Sequence, residues 1–233
     1  MFSARIFEAM KPVSTDASQA GFKQRSLLPP HILAAVLSAF MLCSLSSTQA
    51  TAEDRVCIID KVSNGWAEIL RGGDTIVDPQ GQAIQQGDRL RKNRKSQISI
   101  SCSDEGEITI GQDTEIDLDD LVKAPIGEPR VFRILRGISG FVMPGRAAPV
   151  QVKTLNAVAS VRSTEWTVEV EGKMTHVFVR KGLVDVSAKN GQTAALSTGE
   201  GVTVMADGTM GPVESWGQSR ITAMNGRLGG RWR

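Results

Sequence analysis

Past the first 52 positions, one histidine, two cysteines and one run of spaced carboxylates are the residues whose types and spacing could support chemistry. His176 stands alone between Thr175 and Val177. With no second histidine, no C-x-x-C, no phosphate loop and no dinucleotide fingerprint, the sequence contains no zinc or nucleotide motif. Gly137-Ile138-Ser139-Gly140 has neither the spacing of a G-x-S-x-G nucleophile elbow nor a base to partner it. Adjacent carboxylates such as Asp104-Glu105 would point to opposite faces of a strand. Catalysis is disfavoured on these grounds, and no cofactor is implied.

Two arrangements keep a second reading. Asp113, Glu115, Asp117 and Asp119 recur at every second position, so one strand face could gather several oxygens for calcium. The spacing is not that of an EF-hand loop, and a solvated face balancing the basic cluster Arg91, Lys92, Arg94 and Lys95 is the simpler account. Cys57 and Cys102 each fall in a strand-like run, and in an exported chain they are a candidate disulfide, provided their α-carbons lie within about 7 Å. Two half-buried thiols that never meet are the alternative.

Export is itself an expectation from the sequence. Residues 1–52 have the layout of a secretory signal peptide with a long n-region: Arg5, Lys11, Lys23 and Arg25 come first, and an uncharged apolar run follows at 32–45. Ala50-Thr51-Ala52 then supplies a small-residue site, with cleavage expected between Ala52 and Glu53. The 14-residue run is shorter than the roughly 20 residues that span a bilayer core, so a stable membrane span is expected only if the leader stays uncleaved as an inner-membrane anchor at 32–45. The predicted location is periplasmic or secreted. Without the leader, 23 basic residues face 23 acidic ones. Such a balance gives no general attraction to nucleic acid or anionic membrane, and neither is a predicted partner.

The elements that must position these residues read as strands. The chain holds 23 glycines and no tyrosine, and its 41% hydrophobic content is enough for a core. In 150–205, Trp166, Val168 and Val170 face one way and Thr167, Glu169 and Glu171 the other, while Val177 and Val179 alternate with Phe178 and Arg180. Turn signals separate the runs, among them Lys189-Asn190-Gly191, where Asn-Gly predicts a type I′ turn with positive φ at both central residues. Three short strands are predicted in 56–76 and three more in 98–118. A hairpin is expected from 131–135 to 141–143, turning at 137–140. The predicted layout is a leader at 1–52, lead-in strands at 53–85, a β domain at 86–208 and a tail at 209–233, which reads as a short helix from 219 to 224 or as a disordered end.

In that order the Gly-marked strand pairs resemble the FecR-type domain family. The resemblance is carried by Gly87-Asp88-Arg89-Leu90, by Asp104-Glu105-Gly106 and the run to 118, and by Leu135-Arg136-Gly137 leading to Phe141. It continues through Val152-Lys153-Thr154, Arg162-Ser163-Thr164-Glu165-Trp166, Lys181-Gly182-Leu183-Val184 and the closing run around Gly199. It implies an all-β fold of many short strands stacked in a solenoid-like or prism-like way, in which Gly87, Asp88, Gly106, Gly137, Arg162, Thr164, Gly182 and Gly199 are structural. The family's best-known members are single-pass sensors that receive a signal from a siderophore-occupied outer-membrane receptor and control a sigma factor through a cytoplasmic anti-sigma region. This sequence departs from them twice. About thirty residues without tryptophan precede the apolar run, too few for that cytoplasmic region. Ser163 stands where the family has glycine, so a glycine-only backbone is not expected there. The implied function is an exported, non-enzymatic FecR-like module that binds an envelope protein or relays a signal, with a strand edge as a candidate contact. A module for peptidoglycan, another glycan or a small ligand is the alternative, and a membrane-anchored sensor in siderophore and sigma-factor signalling is the second.

Overall fold

A single 13-residue strand, β8 (Arg130–Val142), belongs to two rows of strands at once. The computed structural model describes residues 56–118, 128–145 and 149–230. The expected leader, its cleavage site at Ala52 and Glu53, the apolar run 32–45 and Asp119 lie outside these residues. The described residues fall in one compact unit.

The first row runs β1 (Cys57–Ser63), β5 (Gln97–Cys102), β6 (Glu107–Ile110) and the C-terminal half of β8. It continues through β11 (Glu165–Glu171), β12 (Met174–Lys181), β15 (Glu200–Val204) and the two-residue β16 (Glu214–Ser215). The second row runs β3 (Asp74–Val77), β2 (Ala67–Arg71), β4 (Arg89–Lys92), β7 (Glu115–Asp117) and the N-terminal half of β8. It then passes through β9 (Val150–Lys153), β10 (Ala157–Val161), β13 (Val184–Ala188) and β14 (Thr193–Leu196). Among the described strands only β8 and β9 pair in parallel.

Alternation explains why these segments are strands and which side each buries. In β13, Val184, Val186 and Ala188 are buried while Asp185 and Ser187 are exposed, and β10 repeats the pattern with Ala157, Ala159 and Val161 inside. Both rows contribute to one apolar cluster that includes Ile69 and Leu90 from the second row and Ile100, Val168 and Val177 from the first. Its aromatic centre comes largely from β8: Phe132 lies 5.5 Å from Phe141, which stacks on Trp166 at 4.9 Å. The all-β, many-stranded architecture implied by the resemblance is the architecture found.

The expected hairpin at 137–140 does not form. Only Gly137 leaves the extended conformation, with φ +84, and Ser139 and Gly140 go on pairing with Ile110 and Thr109 of β6 and with Val168 and Thr167 of β11. The strand therefore bends and continues where two hairpin arms were predicted. Pairing with β7 ends at Arg136 and pairing with β6 begins at Ser139, so the bend carries β8 from one row to the other. Buried Thr114 fastens this corner: its Oγ1 accepts from the Ile138 amide at 3.0 Å and lies 3.0 Å from the Ile138 carbonyl as a donor. A Cβ on Gly137 would stand 2.5 Å from the Thr114 Cα, so both the sign of φ and the lack of space require glycine.

The tail also resolves in favour of order. Of its two predicted forms the helix is present, and it is longer than expected: α1 spans Gln218–Arg227. Its first turn holds no acidic residue and its N-cap makes no side-chain hydrogen bond, so intrinsic capping contributes little. Packing supplies the stability. Met224 and Leu228 join Trp216, Phe178 and Ile138 in a second apolar cluster on the side of the first row opposite the main core. The carbonyls at the C-terminal end of the helix find donors in the β6–β7 turn and in β5, since the Gln112 amide reaches the Arg227 carbonyl at 2.8 Å and the Gln97 side chain donates to Leu228.

The corner yields a direct test by urea unfolding. Gly137→Val is expected to lower the unfolding free energy by about 3 kcal/mol or more, combining left-handed strain with overpacking. Gly172→Ala, at φ +61 with open space around it, is expected to cost only about 1 kcal/mol. Equal costs at the two positions would remove the special role of the corner.

Candidate interaction surface

The ionisable groups with perturbed environments are engaged in holding the fold. His176 is half buried, with Nδ1 2.9 Å from the Thr203 hydroxyl and Nε2 3.9 Å from the Glu171 carboxylate. Burial first, then the positive charges of Arg220 and Arg227, push its pKa below the ordinary 6.5 against the pull of Glu171. Glu169 is raised above 4.5, chiefly by burial, even though the Arg227 guanidinium donates to it at 2.6 Å. Burial brings Lys92 down to about 8, and its ammonium is held by the carbonyls of Asn93, at 3.1 Å, and Ser96. Each is held by neighbouring elements of the fold: His176 by Thr203 and Glu171, Glu169 by Arg227, and Lys92 by main-chain carbonyls.

The residues singled out from sequence are placed as follows. Cys57 and Cys102 form a disulfide that joins β1 to β5 at directly opposed positions, with α-carbons 4.0 Å apart. The fully buried Arg130 lies beside it, with Nη1 3.9 Å from Cys57 Sγ and an ion pair to Asp104. Sequence reading took Asp104 as a turn residue; its buried partner, 26 positions away, gave no local signal. The described members of the calcium candidate set meet guanidinium groups. Asp117 pairs with Arg89, Asp113 accepts from Arg136 at 2.7 Å, and Glu115 lies within 4 Å of Arg89, Arg91 and Arg136. Of the basic cluster, Arg91 lies 3.8 Å from Glu115 and Arg94 3.7 Å from Asp113, whereas Arg89 and Arg136 stand outside that cluster and Asp117 is buried and not solvated.

The motif residues sit at joints. Gly87, Gly106 and Gly199 lie in turns just before β4, β6 and β15, Arg162 is exposed between β10 and β11, and Thr164 is buried behind it. Asp88 is fully buried and takes the Arg71 Nε at 2.8 Å, the Arg71 Nη2 at 2.7 Å and the Gln85 amide at 2.8 Å. Gly182 combines φ +99 with a tight approach, since a Cβ there would meet Thr164 Cγ2 at 2.7 Å. At Ser163 the expectation is corrected: φ is +59, the left-handed conformation that glycine adopts freely, so the backbone keeps that geometry although the side chain has changed.

Among the described residues, the surface left open lies across the outer side of the second row. Register aligns Leu70, Arg89, Asp117, Arg133, Lys153 and Val158 on β2, β4, β7, β8, β9 and β10 in a line perpendicular to the strands. Two shallow depressions follow this line and share Arg133. One, of about 370 Å³, is lined by Leu70, Gly72, Gly73, Gly87, Arg89 and Asp117. The other, of about 430 Å³, is lined by Ile134, Leu135, Lys153, Thr154, Leu155 and Val158. Leu155 is 69% exposed and Leu135 40%. Arg89 is committed to Asp117, whereas among the described residues neither Arg133 nor Lys153 has a carboxylate within ion-pair distance. Sequence reading missed this site because its members come from six strands and become neighbours only through register.

The fold and this surface define an all-β module of Gly-marked strand pairs with an open, cationic and apolar trough. Residues 88–185 match the model of the FecR protein family, so the chain carries a FecR-type domain, from the Asp88 that clamps Arg71 to the second residue of β13. Two crystal structures from Parabacteroides distasonis, each provisionally described as an anti-sigma factor, are similar to it at 19% and 20% identity with TM-scores of 0.49 and 0.47. Each alignment covers 58% of this chain, which spans 62% and 63% of those two chains. No curated protein matches the chain.

Two measurements check this account. His176 holds its proton less firmly in the folded state, so between its lowered pKa and 6.5 the unfolded chain binds more protons and stability falls as pH falls. Glu169 acts in the opposite sense: its raised pKa gives stability that is lost as pH rises from 4.5 through the folded value. Removing His176 alone therefore isolates its share, and His176→Gln is expected to show a shallower loss of unfolding free energy between pH 7 and pH 5 than the parent; equal slopes would refute the assignment. Ser163→Gly is expected to raise stability by about 0.5 kcal/mol, the relief of left-handed strain less the entropy of glycine, and a lower melting temperature would contradict it.

Proposed function

We propose that this chain is a non-catalytic module of the cell envelope that docks a protein partner and relays a signal, using the trough across the second row as its contact surface. The observation that carries this reading is the pair Arg133 and Lys153, two adjacent cations with no carboxylate within ion-pair distance among the described residues, beside exposed Leu135 and Leu155. Arginines on and beside the same row are paired with carboxylates, at Arg71–Asp88, Arg89–Asp117 and Arg130–Asp104. Two like charges in direct register weaken a sheet unless something offsets them, and exposed leucines beside them are the usual composition of a contact patch. The FecR-type domain supports a signalling role in the same direction. No helix among the described residues is long and apolar enough to cross a membrane, and placement in the periplasm rests on the leader read from the sequence.

The strand edges are weaker candidates: the outer edge of β1 is occupied at Cys57 and Ile59 by main-chain bonds to Gly81, Gln82 and Ile84, and β3, β14 and β16 offer at most four residues each. That is short for strand addition. Site-specific photocrosslinking tests the reading. A photoreactive residue at Leu155 is expected to give one discrete protein adduct in intact envelopes, and the same residue at exposed Lys95 none. Absence of a protein adduct at Leu155, together with cosedimentation of the chain with purified sacculi, would replace protein docking with glycan binding.

A further inference from the structure

The trough also indicates what kind of segment it takes. We infer that it receives an extended acidic stretch of the partner, laid across the strands, with a carboxylate over Arg133 and Lys153 and an apolar side chain over Leu135, Leu155 and Val158; this rests on the protein-docking reading above.

Three features lead to that occupant. The first is charge. Arg133 and Lys153 face each other across the parallel β8–β9 pair, and the nearest acid on the same line, Asp117, is held by Arg89. A carboxylate supplied from outside would complete the pattern that Arg89 and Asp117 set beside it, and the guanidinium fork suits two carboxylate oxygens. The second is spacing. Leu135 lies two residues beyond Arg133 and Leu155 two beyond Lys153, with Val158 facing Lys153 from β10. An acidic and an apolar side chain close together in the partner would engage both halves. The third is length and chemistry of the floor. From Leu70 to Val158 the line crosses five inter-strand steps of about 4.8 Å, roughly 24 Å, the reach of about seven extended residues. No aromatic side chain lines either depression, so the stacking platform that favours a sugar ring is missing. The Leu70 end is floored by Gly72, Gly73 and Gly87, so a main chain can pass there without meeting a side chain.

Fluorescence anisotropy with the full chain tests this, using a labelled octapeptide of alternating glutamate and leucine and a second peptide of alternating lysine and leucine. The acidic peptide is expected to bind with an affinity that falls as salt is raised, and the basic peptide to bind at least tenfold more weakly. Arg133→Glu with Lys153→Glu is expected to weaken the acidic peptide at least tenfold, and Leu155→Ala with Val158→Ala several-fold. Arg133→Lys with Lys153→Arg should retain affinity within about threefold. All these positions are exposed or half exposed, so unchanged thermal unfolding should accompany each variant. Equal binding of the two peptides, indifference to the charge reversal, or no binding at low salt overturns the inference. Binding to phosphatidylglycerol vesicles that is lost in the same charge-reversed variant also overturns it, by assigning the cations to lipid. The two readings remain separable: a Leu155 protein adduct that persists in the charge-reversed variant keeps protein docking and removes the acidic segment. Peptide binding without any envelope adduct does the reverse.

Discussion

The bend of β8 at Gly137 is the constraint on which the rest of the structure depends. One strand supplies the pairing surface for β7 and β9 before the bend and for β6 and β11 after it. If β8 stopped or turned back there, each row would be split from the other and the shared core would open on one side. The bend is cheap for glycine and is held by the Thr114 hydroxyl, which answers the Ile138 amide that a bulge would otherwise leave unpaired. It also carries Phe132 and Phe141, from opposite halves of one strand, into the same aromatic cluster.

Polar pins then fix what the bend arranges. Asp88 is buried without solvent and would be costly there as a bare carboxylate, but the Arg71 fork and the Gln85 amide satisfy it and tie the β2–β3 hairpin to the entry of β4. Arg130, at the start of β8, is buried against Asp104 and next to the disulfide between β1 and β5. Breaking either pair by removing one member would leave a buried charge, a larger penalty than the pair's own net contribution. The lead-in strands β1 to β3, which precede the residues matched by the family model, are thus bound into the same body by a disulfide and an ion pair.

Strands were legible in the sequence wherever period-two alternation met a turn signal, as in 56–76, 98–118 and 165–204. What could not be read was long-range or depended on single dihedral angles. Gly-Ile-Ser-Gly looks like a loop because two glycines flank it, yet Ser139 and Gly140 pair on both sides and only register reveals that. At Lys189-Asn190-Gly191 the hairpin forms, but only Gly191 has positive φ, and the Ala188 amide bonds to the Gln192 carbonyl at 2.8 Å across a longer loop than a type I′ turn. Thr167 and Phe178 were read as the outward side of their strands, and both are buried because the tail returns over them. The trough was invisible for the same reason. Leu70 and Val158 are 88 positions apart in the chain, and no local pattern connects them.

The two outer sides of the molecule are treated differently, and the contrast bears on function. On the first row, Ile138 and Phe178 would be an exposed apolar patch, but Trp216, Met224 and Leu228 cover them, Arg220 lies 3.6 Å over the Trp216 ring, and Arg227 reaches Glu169. Gly201 is part of the same fit, since a Cβ there would run into the Trp216 ring at 2.3 Å. That side is completed from within the chain. On the second row, among the described residues, no element lies over Arg133, Lys153, Leu135 and Leu155, although a comparable covering segment would have offset their charge and apolar area. Among the described residues one apolar side is covered and the other is open, and a contact made there with a second molecule would add stability only when that molecule is present. On the proposed reading, the open side is where a partner's occupancy would be conditional, while the covered side is completed within the chain.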